Sequence, residues 1–481
     1  MAVEEQGAPE TGERDEISET GRGLYLWSVA GVAALGGLLF GYDWVVIGGA
    51  KPFYEAYFGV TAPSQQAWAM SCALIGCLLG AIASGALSEA IGRRKALILA
   101  AAAFAISSIG TGLSVAFIDF VAWRISAGVA IGMASVLSPV YIAEIAPAPE
   151  RGRLVCLNEL TIVIGILSAQ TVNWLIAQPV DPGATVADIA QSWNGRVAWR
   201  LMFGAALVPA AVLLIGAIFI PESPRWLGRK ARWPQAQKVL ERLAGRRDAL
   251  AIVSDMRATF ADAETVSIGQ VLRQPRVRRA LLVGVVLAVL QQWCGINVIF
   301  NYAQEVFSAA GYGLSSIMIN IVITGVVMSV FTFIAIASVE KLGRRPLMLI
   351  GCAGLALLYA VLGWLYLTHQ QGWPLLVLVV AAIGCYAMTL APITWVILSE
   401  IFPNEARGAC VAICTTALWA ACFVLTYTFP LFNAGIGPAF TFWLYAVICA
   451  GGFLFVFWKV PETKGRSLEE IERQWSLEGD A

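Results

Sequence analysis

The sequence predicts an all-α membrane protein whose twelve transmembrane helices form two six-helix, pseudo-symmetric halves with a cytoplasmic helical insert between them. Hydrophobic residues make up 58% of the 481 residues and charged residues only 13%, against a usual charged fraction of about 25%. The apolar residues fall into runs close to the ~20 residues with which a helix crosses a bilayer. Two charged motifs also occur twice, once in each half.

Five segments follow from the composition along the chain. The acidic, polar residues 1–22 are expected to stay disordered. Apolar runs fill 23–220 and 277–458, the two halves, and the Arg- and Lys-rich segment 221–276 is expected to be a small soluble helical linker. Residues 459–481 form a short cytoplasmic tail. The predicted spans lie near 24–48, 67–88, 95–114, 117–143, 154–178, 199–220, 277–308, 315–338, 347–366, 373–398, 409–430 and 437–458.

The distribution of basic residues predicts that both termini lie in the cytoplasm. With the N-terminus inside, the outer side receives only Lys51, Arg196 and Arg200, and Arg124 falls within a span. All other lysines and arginines then face the cytoplasm, which is the usual bias of membrane proteins. We therefore expect a multi-pass protein of a plasma membrane.

Two charged motifs are repeated between the halves. A Glu-Ile-Xaa-Pro string followed by Arg-Gly closes the fourth and the tenth span, beginning at Glu144 and Glu400. A glutamate followed by Gly-Arg-Arg closes the second and the eighth span, beginning at Glu89 and Glu340. The offsets are nearly equal and the span numbers correspond, so we infer an internal duplication. Duplicated halves are typical of secondary transporters.

The arginines of these motifs can bridge carboxylates and helix C-terminal carbonyls. We interpret the motifs as latches that hold the two halves together on the inner side and release when the carrier opens inward. The alternative is that they are only positive-inside anchors. Their duplicated spacing favours the latch.

Other functional classes find little support in the composition. The net charge is zero, which provides no basic field for nucleic acid. The ten cysteines form no paired CxxC motif, and the single histidine, His369, lies in a short polar link, so we expect neither a metal site nor a disulfide framework. The sequence offers no acid pair or activated nucleophile, and we therefore expect no enzyme and no cofactor.

Five strings occur in one order along nearly the whole chain: Gly36-Gly37-Leu38-Leu39-Phe40-Gly41-Tyr42-Asp43, Gly92-Arg93-Arg94, Pro221-Glu222-Ser223-Pro224-Arg225-Trp226, Gln291-Gln292-xx-Gly295-Ile296-Asn297 and Pro461-Glu462-Thr463-Lys464-Gly465. In these strings the chain resembles the sugar porters of the major facilitator superfamily, which include bacterial proton-coupled D-xylose and hexose symporters and animal glucose facilitators. The resemblance implies the major facilitator fold and proton-coupled import of a neutral hexose or pentose by alternating access. An uncoupled facilitator and a non-transporting sugar sensor remain alternatives.

The resemblance also implies the partners and an inner gate. The partners are the monosaccharide, protons as the coupling ion and the lipid bilayer, whereas the oligomeric state is not readable from the sequence. The linker and the tail resemble a helical bundle that braces the inner gate. The predicted inner-gate charge cluster comprises Glu89, Arg93, Arg94, Glu144, Arg151, Glu222, Arg225, Glu340, Arg344, Arg345, Glu400, Arg407 and Glu462.

Asp43 is the acid within the first span and Arg124 the base within the fourth. An ionisable group in hydrocarbon costs several kcal/mol unless it is paired, so each is a functional candidate. Both lie at similar depths from the outer ends of their helices, which makes pairing feasible. The resemblance implies that Asp43 is the proton-coupling residue, which on protonation releases Arg124. The alternative is a static structural ion pair. A short chain with the proton-type Asp43 that the resemblance implies suits a bacterial inner membrane.

The seventh span contains an unusually large number of polar side chains, namely Gln291, Gln292, Asn297, Asn301 and Tyr302. A regular helix would direct these side chains to different faces. Gly295 offers a place to break the helix, and broken helices at mid-membrane are where transporters build binding sites. Amides both donate and accept hydrogen bonds, which suits sugar hydroxyls. Hydrogen bonding between helices is the alternative role.

The resemblance further implies three pocket aromatics, Phe40 in the first span, Trp395 in the tenth and Trp419 in the eleventh. A flat aromatic face packs against the C–H face of a sugar ring while amides bind its edge. Plain core packing is the alternative for both tryptophans. Pro392 is expected to kink the tenth span and to let it act as a gate.

The chain departs from its family at several predicted site positions. Glu159 and Ile166 of the fifth span occupy positions where sugar porters usually carry glutamine, and Asn301 replaces a tyrosine. Leu418 and Ala391 also differ from the usual residues. Such changes alter discrimination among hydroxylated isomers, so no particular sugar is predicted. Glu159 itself either contacts the substrate or belongs to the inner charge cluster with Arg151 or Arg153.

Overall fold

The computed structural model describes residues 19–147, 150–181, 183–262, 272–402 and 407–464, and the rest of both predicted tails lies outside these ranges. Within them, every regular element is a helix, and eleven helices are long and apolar enough to cross a membrane. The last of these turns at Gly437, whose backbone has a non-helical φ of 81°. The turn separates the eleventh span from the twelfth, so the predicted all-α class with twelve spans is confirmed.

The first five spans are Glu19–Phe58, Pro63–Ile91, Arg93–Leu113, Phe117–Ile145 and Arg151–Ile176. The sixth span consists of the π-helical turn Asn194–Ala198 and the helices Trp199–Gly204 and Leu207–Phe219, and a short helix, Val186–Gln191, precedes it. The seventh consists of Pro275–Trp293, Ile296–Asn301 and Ala303–Ala309. The remaining spans are Leu314–Leu342, Arg344–Leu367, Trp373–Met388 with Leu390–Glu400, and Arg407–Lys459, which holds the eleventh and twelfth.

The predicted linker segment forms the helices Pro224–Arg229, Trp233–Ala244 and Arg246–Asp262. It is fastened to the first half, because Trp226 Nε1 donates to the carbonyl of Glu89 at 3.0 Å. We call the side of the bundle that carries these helices the linker side. The opposite side, where the first span ends, is called the far side.

Small residues let the spans of the first half pack closely. A Cβ added to Gly128 in the fourth span would collide with the carbonyl of Ala73 in the second. A Cβ added to Gly41 in the first span would collide with the carbonyl of Ile162 in the fifth. Close packing of this kind drives helix association in lipid, where no hydrophobic effect operates between helices.

The two halves are joined toward the far side. The first span approaches the seventh so closely that a Cβ at Gly48 would collide with a backbone carbonyl there. Gln170 Nε2 of the fifth span donates to Thr324 Oγ1 of the eighth at 3.3 Å. The backbone N–H of Val180 donates to Ser315 Oγ at 3.1 Å. These contacts close the far side of the interface.

The predicted end of the first span near residue 48 is wrong, so Lys51 does not lie beyond the span. The first span continues through this residue to Phe58, and the lysine is only 2% exposed. Its ammonium pairs with Glu55 of the same helix and with Glu305 of the seventh span. A prediction from hydropathy ends a span where a charged residue occurs. A charged residue that has a partner can nevertheless lie inside the bundle.

We expect Gly128→Ala to destabilise the first half, because the added methyl group must displace the second span. Overpacking of this kind costs roughly 1–3 kcal/mol. The melting temperature of the purified protein in detergent measures it. Gly451→Ala is the matched control, since nothing lies within 4 Å of the added Cβ. Equal melting temperatures for both variants would contradict the close approach.

Candidate functional site

A buried ion pair joins the first span to the fourth. Arg124 Nη1 donates to Asp43 Oδ1 at 2.5 Å, and the two residues are 2% and 5% exposed. The guanidinium carbon lies 5.1 Å from the ring centre of Phe203 in the sixth span, where a cation and an aromatic face attract each other. The predicted pairing of Asp43 with Arg124 is confirmed.

A small cavity lies beside this ion pair. Asn301, from the seventh span, lines it together with Asp43 and Arg124. Neither Arg124 Nε nor Asn301 Oδ1 has a hydrogen-bond partner among the described residues. The other lining residues are Phe40, Trp44, Ile47, Met70, Ala73, Leu74, Cys77 and Ile131. The cavity thus connects the ion pair of the first half with a polar residue of the second.

The seventh span is broken at two places. Gly295 adopts a left-handed conformation with a φ of 87°, which glycine reaches without steric cost. The predicted break at this residue is therefore confirmed. A second break lies at Tyr302, where φ is −119° and ψ is 33°, and the sequence pattern does not reveal it.

The break at Gly295 brings three amides into one hydrogen-bonded row. Gln292 Nε2 donates to Gln291 Oε1 at 3.3 Å, and Asn297 Nδ2 donates to Gln292 Oε1 at 2.5 Å. Gln291 Nε2 donates to the carbonyl of Ala391 in the tenth span at 3.1 Å. All three amides are buried. In this conformation the row bonds helices together, and its donors and acceptors are of the kind that a hydroxylated ligand uses.

Aromatic side chains from both halves meet inside the bundle. The ring centres of Phe40 and Trp419 lie 5.6 Å apart, and those of Trp44 and Trp419 lie 5.9 Å apart. Trp419 Nε1 is buried and has no hydrogen-bond partner in the described part of the chain. Asn297 Nδ2 lies 3.9 Å from the sulfur of Cys422, one turn beyond Trp419. The eleventh span thus approaches the amide row through Cys422 and the aromatic rings of the first span through Trp419.

Trp44 is a site residue that the sequence motifs do not single out. It packs edge-on against Phe40, with ring centres 5.6 Å apart, and it lines the cavity beside the ion pair. The only signal in the sequence is its position directly after Asp43, which places an aromatic ring next to a buried charge.

The tenth span is kinked near its middle. Its helix ends at Met388 and resumes at Leu390, with a φ of −127° and a ψ of −88° at Thr389. Pro392 has no N–H to donate to the carbonyl of Met388, four residues earlier, which explains the position of the kink. The predicted kink is thus confirmed. Trp395, one turn beyond Pro392, is half-buried, and its contact with a ligand stays a prediction.

Two predicted binding residues lie apart from the amide row. Tyr302 donates its hydroxyl hydrogen to the carbonyl of Thr426, with an O–O distance of 2.7 Å, and its ring packs on Phe429. Glu159 is half-exposed in the fifth span, and no charged partner lies beside it in the described ranges. A role of either residue in binding stays a prediction.

The charge cluster of the first half lies on the linker side. Arg93 donates to Glu89 at 2.6 Å and to Glu144 at 3.0 Å. Glu222 accepts hydrogen bonds from the backbone N–H groups of Arg93 and Arg94 at 2.8 and 3.1 Å. A carboxylate at a helix N-terminus satisfies N–H groups that have no partner within the helix and favours the helix dipole.

The second half repeats this arrangement. Glu462 accepts hydrogen bonds from the backbone N–H groups of Arg344 and Arg345, each at 3.1 Å. Arg344 Nη2 donates to Glu400 at 3.0 Å. The glycine before each arginine pair has nearly the same φ, 99° in the first half and 91° in the second. The motif that is duplicated in the sequence is therefore also duplicated in three dimensions.

Among the described residues, the contacts given above join the first cluster to the linker and the second to the tail, and none of them joins the two halves. The inner latch between the halves stays a prediction. Arg225 is exposed, and no carboxylate of the described ranges pairs with it. The side chains of Arg151, Glu340 and Arg407 lie outside the described part.

Comparison with known proteins identifies the family. Residues 29–475 match the family described as sugar (and other) transporter. The chain belongs to this family. It is 35% identical over 485 residues to the D-xylose-proton symporter of Escherichia coli (strain K12), a match that covers 94% of this chain and 96% of the relative. It is 36% identical over 444 residues to the arabinose-proton symporter of Bacillus subtilis (strain 168), covering 92% and 93%.

Solved structures of the xylose transporter XylE from E. coli share the fold. The partially occluded inward-open conformation gives a TM-score of 0.81 at 33% identity and covers 92% of this chain and 100% of that one. XylE bound to 6-bromo-6-deoxy-D-glucose gives 0.76 at 34% identity, covering 94% and 100%. This member of the family therefore has the predicted major facilitator fold, and its relatives are transporters, not enzymes.

We expect Glu222→Ala to expose the start of the third span, because the N–H groups of Arg93 and Arg94 lose their acceptor. Hydrogen bonds to a charged group contribute about 1.5–3 kcal/mol. Hydrogen exchange measured by mass spectrometry should therefore become faster in peptides that cover residues 93–96. Arg225→Ala, at the exposed neighbour in the same string, is the control. Unchanged protection in the Glu222 variant would refute the capping role.

Proposed function

We propose that this protein is a secondary active transporter that imports a neutral monosaccharide with a proton by alternating access. The buried Asp43–Arg124 pair carries the proposal, because it places a titratable group inside the bundle, in one cavity with aromatic residues of the first span and Asn301 of the seventh. The relatives named as D-xylose-proton and arabinose-proton symporters support it. In this proposal the linker side faces the cytoplasm of a bacterial cell, as the distribution of basic residues favours.

The coupling step follows from the charges of the ion pair. When Asp43 takes up a proton from outside, its carboxyl group becomes neutral and the attraction that holds Arg124 is lost. The protonated carrier can then change conformation without separating two opposite charges inside the bundle. Release of the proton on the inner side restores the pair. Asp43 is therefore proposed as the proton-coupling residue, with Arg124 as its partner.

The same helix transmits this change to the proposed sugar site. Phe40 lies one turn before Asp43, and its ring contacts Trp419 of the other half. A shift of the first span therefore moves an aromatic face against the eleventh span. This contact joins proton binding to the relative position of the two halves.

Sugar recognition is assigned to the amide row and the aromatic rings. Gln291, Gln292 and Asn297 offer donors and acceptors without net charge, so a neutral polyol can replace their mutual hydrogen bonds. Trp419 offers a buried N–H donor that lacks a partner among the described residues. Aromatic faces take the apolar side of the ring. The substrate class is thus a neutral hexose or pentose.

The conformation agrees with a carrier that is closed on the far side. The contacts between the halves lie toward that side, and the TM-score of 0.81 belongs to an inward-open form of XylE. We infer that the two linker-side clusters, whose described contacts given above do not join the halves, meet when the carrier faces outward. They are therefore proposed as the inner gate.

We expect Asp43→Asn to abolish uphill transport but to retain the exchange of sugar across the membrane, since asparagine resembles the protonated, neutral acid. Proteoliposomes with an outside-acid gradient should accumulate a labelled sugar with the wild type and only equilibrate it with the variant. Counterflow without a gradient should persist in both. Asp181→Asn, at an exposed acid, is the control.

The sugar panel in this assay contains pentoses and hexoses, so that it also names the substrate. Uphill uptake by the Asp43 variant at the wild-type level would contradict the coupling role. If the wild-type protein only equilibrates the sugar and the proton gradient has no effect, an uncoupled facilitator would be favoured. Absence of uptake for every sugar would favour a sensor.

Glu159→Gln is expected to change the order of preference among hexoses and pentoses, because a carboxylate accepts two hydroxyl hydrogen bonds and an amide both donates and accepts. Competition against one labelled sugar measures this order. Glu150→Gln, at the linker-side end of the same span, is the control. The same KM for every sugar in variant and wild type would exclude substrate contact.

A further inference from the structure

A second set of charges lies inside the bundle, on the far side and away from the proton-coupling pair. Lys51 of the first span is 2% exposed and pairs with two carboxylates. Glu55, one turn further along the same helix, lies 3.2 Å from its ammonium. Glu305 belongs to the third piece of the seventh span, in the other half. We call Lys51, Glu55 and Glu305 the far-side triad.

We propose that Lys51 and Glu305 form an ionic latch that closes the far side, and that Glu55 holds Lys51 whenever Glu305 moves away. The proposal rests on the alternating-access function proposed above. It assigns to these residues a positioning role in the transport cycle. None of them is assigned a contact with the sugar.

The burial of Lys51 makes a permanent partner necessary. A buried ammonium that loses its only carboxylate leaves an uncompensated charge, which costs several kcal/mol. Glu55 cannot leave Lys51 when the halves separate, because both residues sit on one continuous helix. Gln66 Nε2 also donates to Glu55 Oε2 at 3.2 Å and helps to hold this carboxylate in place. Lys51 therefore stays paired in both states of the latch.

Glu305 is placed so that it can leave. Its helix, Ala303–Ala309, begins after the break at Tyr302 and ends before Gly311, where φ is 85°. Backbone breaks at both ends allow a short helix to move as a rigid unit. The side chain of Glu305 is 26% exposed, so water can solvate it once the contact opens. When the latch opens, Lys51 loses Glu305 but keeps Glu55, so its positive charge stays compensated.

The triad is also connected to the coupling site. Lys51 lies about two turns (~12 Å) beyond Asp43 on the same helix. Its ammonium is 5.7 Å from the ring centre of Tyr302, the residue at which the seventh span breaks. A shift of the first span on protonation of Asp43 therefore acts on the latch directly.

Hydrogen exchange on both sides of the purified full-length protein tests the proposal. We expect Glu305→Gln to speed exchange several-fold in far-side peptides that cover residues 303–309 and 51–58. Because alternating access couples the two sides, exchange should slow in linker-side peptides at 152–158 and 396–402. Faster exchange on the far side alone, or no change, would mean local loosening and would overturn the latch.

Two further variants test the roles of the individual charges. Glu55→Gln keeps the latch but removes the exchange partner, so far-side exchange should stay at or below the wild-type level and uptake should slow. Far-side opening in this variant would contradict the assigned role of Glu55. The charge swap Lys51→Glu with Glu305→Lys rebuilds an ion pair between the halves, so far-side exchange should be slower than in Glu305→Lys alone. Equally fast far-side exchange in both variants would also overturn the latch.

Symport and latch can fail separately in these experiments. Exchange is measured on protein in detergent without a proton gradient, and uphill uptake is measured in proteoliposomes. A null result in exchange together with gradient-driven uptake would remove the latch and leave the proposed function intact. The converse result would leave the far-side latch and remove proton coupling.

Discussion

A charge inside an apolar bundle needs a partner of opposite charge. This constraint determines which residues the proposed mechanism of the protein uses. Leaving one unpaired costs several kcal/mol, so any change of partner is a large event on the scale of folding or binding energies. Asp43 and Arg124 satisfy each other across the first and fourth spans. Lys51 is satisfied from both halves. The first span carries both Asp43 and Lys51, so in the proposed mechanism it is the element that links proton binding to conformation.

Neutral hydrogen bonds at the centre of the bundle complete this arrangement. The amide row of the seventh span bonds to itself and to the tenth span, so in the proposed function no net charge has to be desolvated when a sugar enters. Phe40 and Trp44 of the first half lie against Trp419 of the second. Phe40 and Trp44 line the same cavity as Asp43 and Arg124, so the first span contributes both to the ion pair and to the aromatic contact with the other half.

The sequence predicts much of this arrangement because hydropathy and backbone chemistry are local. Spans follow from apolar runs, the break of the seventh span follows from Gly295, and the kink of the tenth follows from Pro392. The pairing of Asp43 with Arg124 is predictable because two lone charges at equal depth have few other partners. The burial of Lys51 is not predictable in this way. Its partner Glu305 is 254 residues away, and a hydropathy pattern contains no information about which distant residues meet. Trp44 and the position of Tyr302 depend likewise on how the two halves meet, which no local pattern encodes.

The most direct test of proton coupling through Asp43 is the proton flux that a sugar itself drives. Proteoliposomes containing the wild-type protein and an internal pH-sensitive dye, with no imposed gradient, would receive a transported sugar from outside. The account predicts acidification of the interior that follows sugar entry and disappears when Asp43 is replaced by asparagine. Sugar entry without any change of internal pH would contradict it.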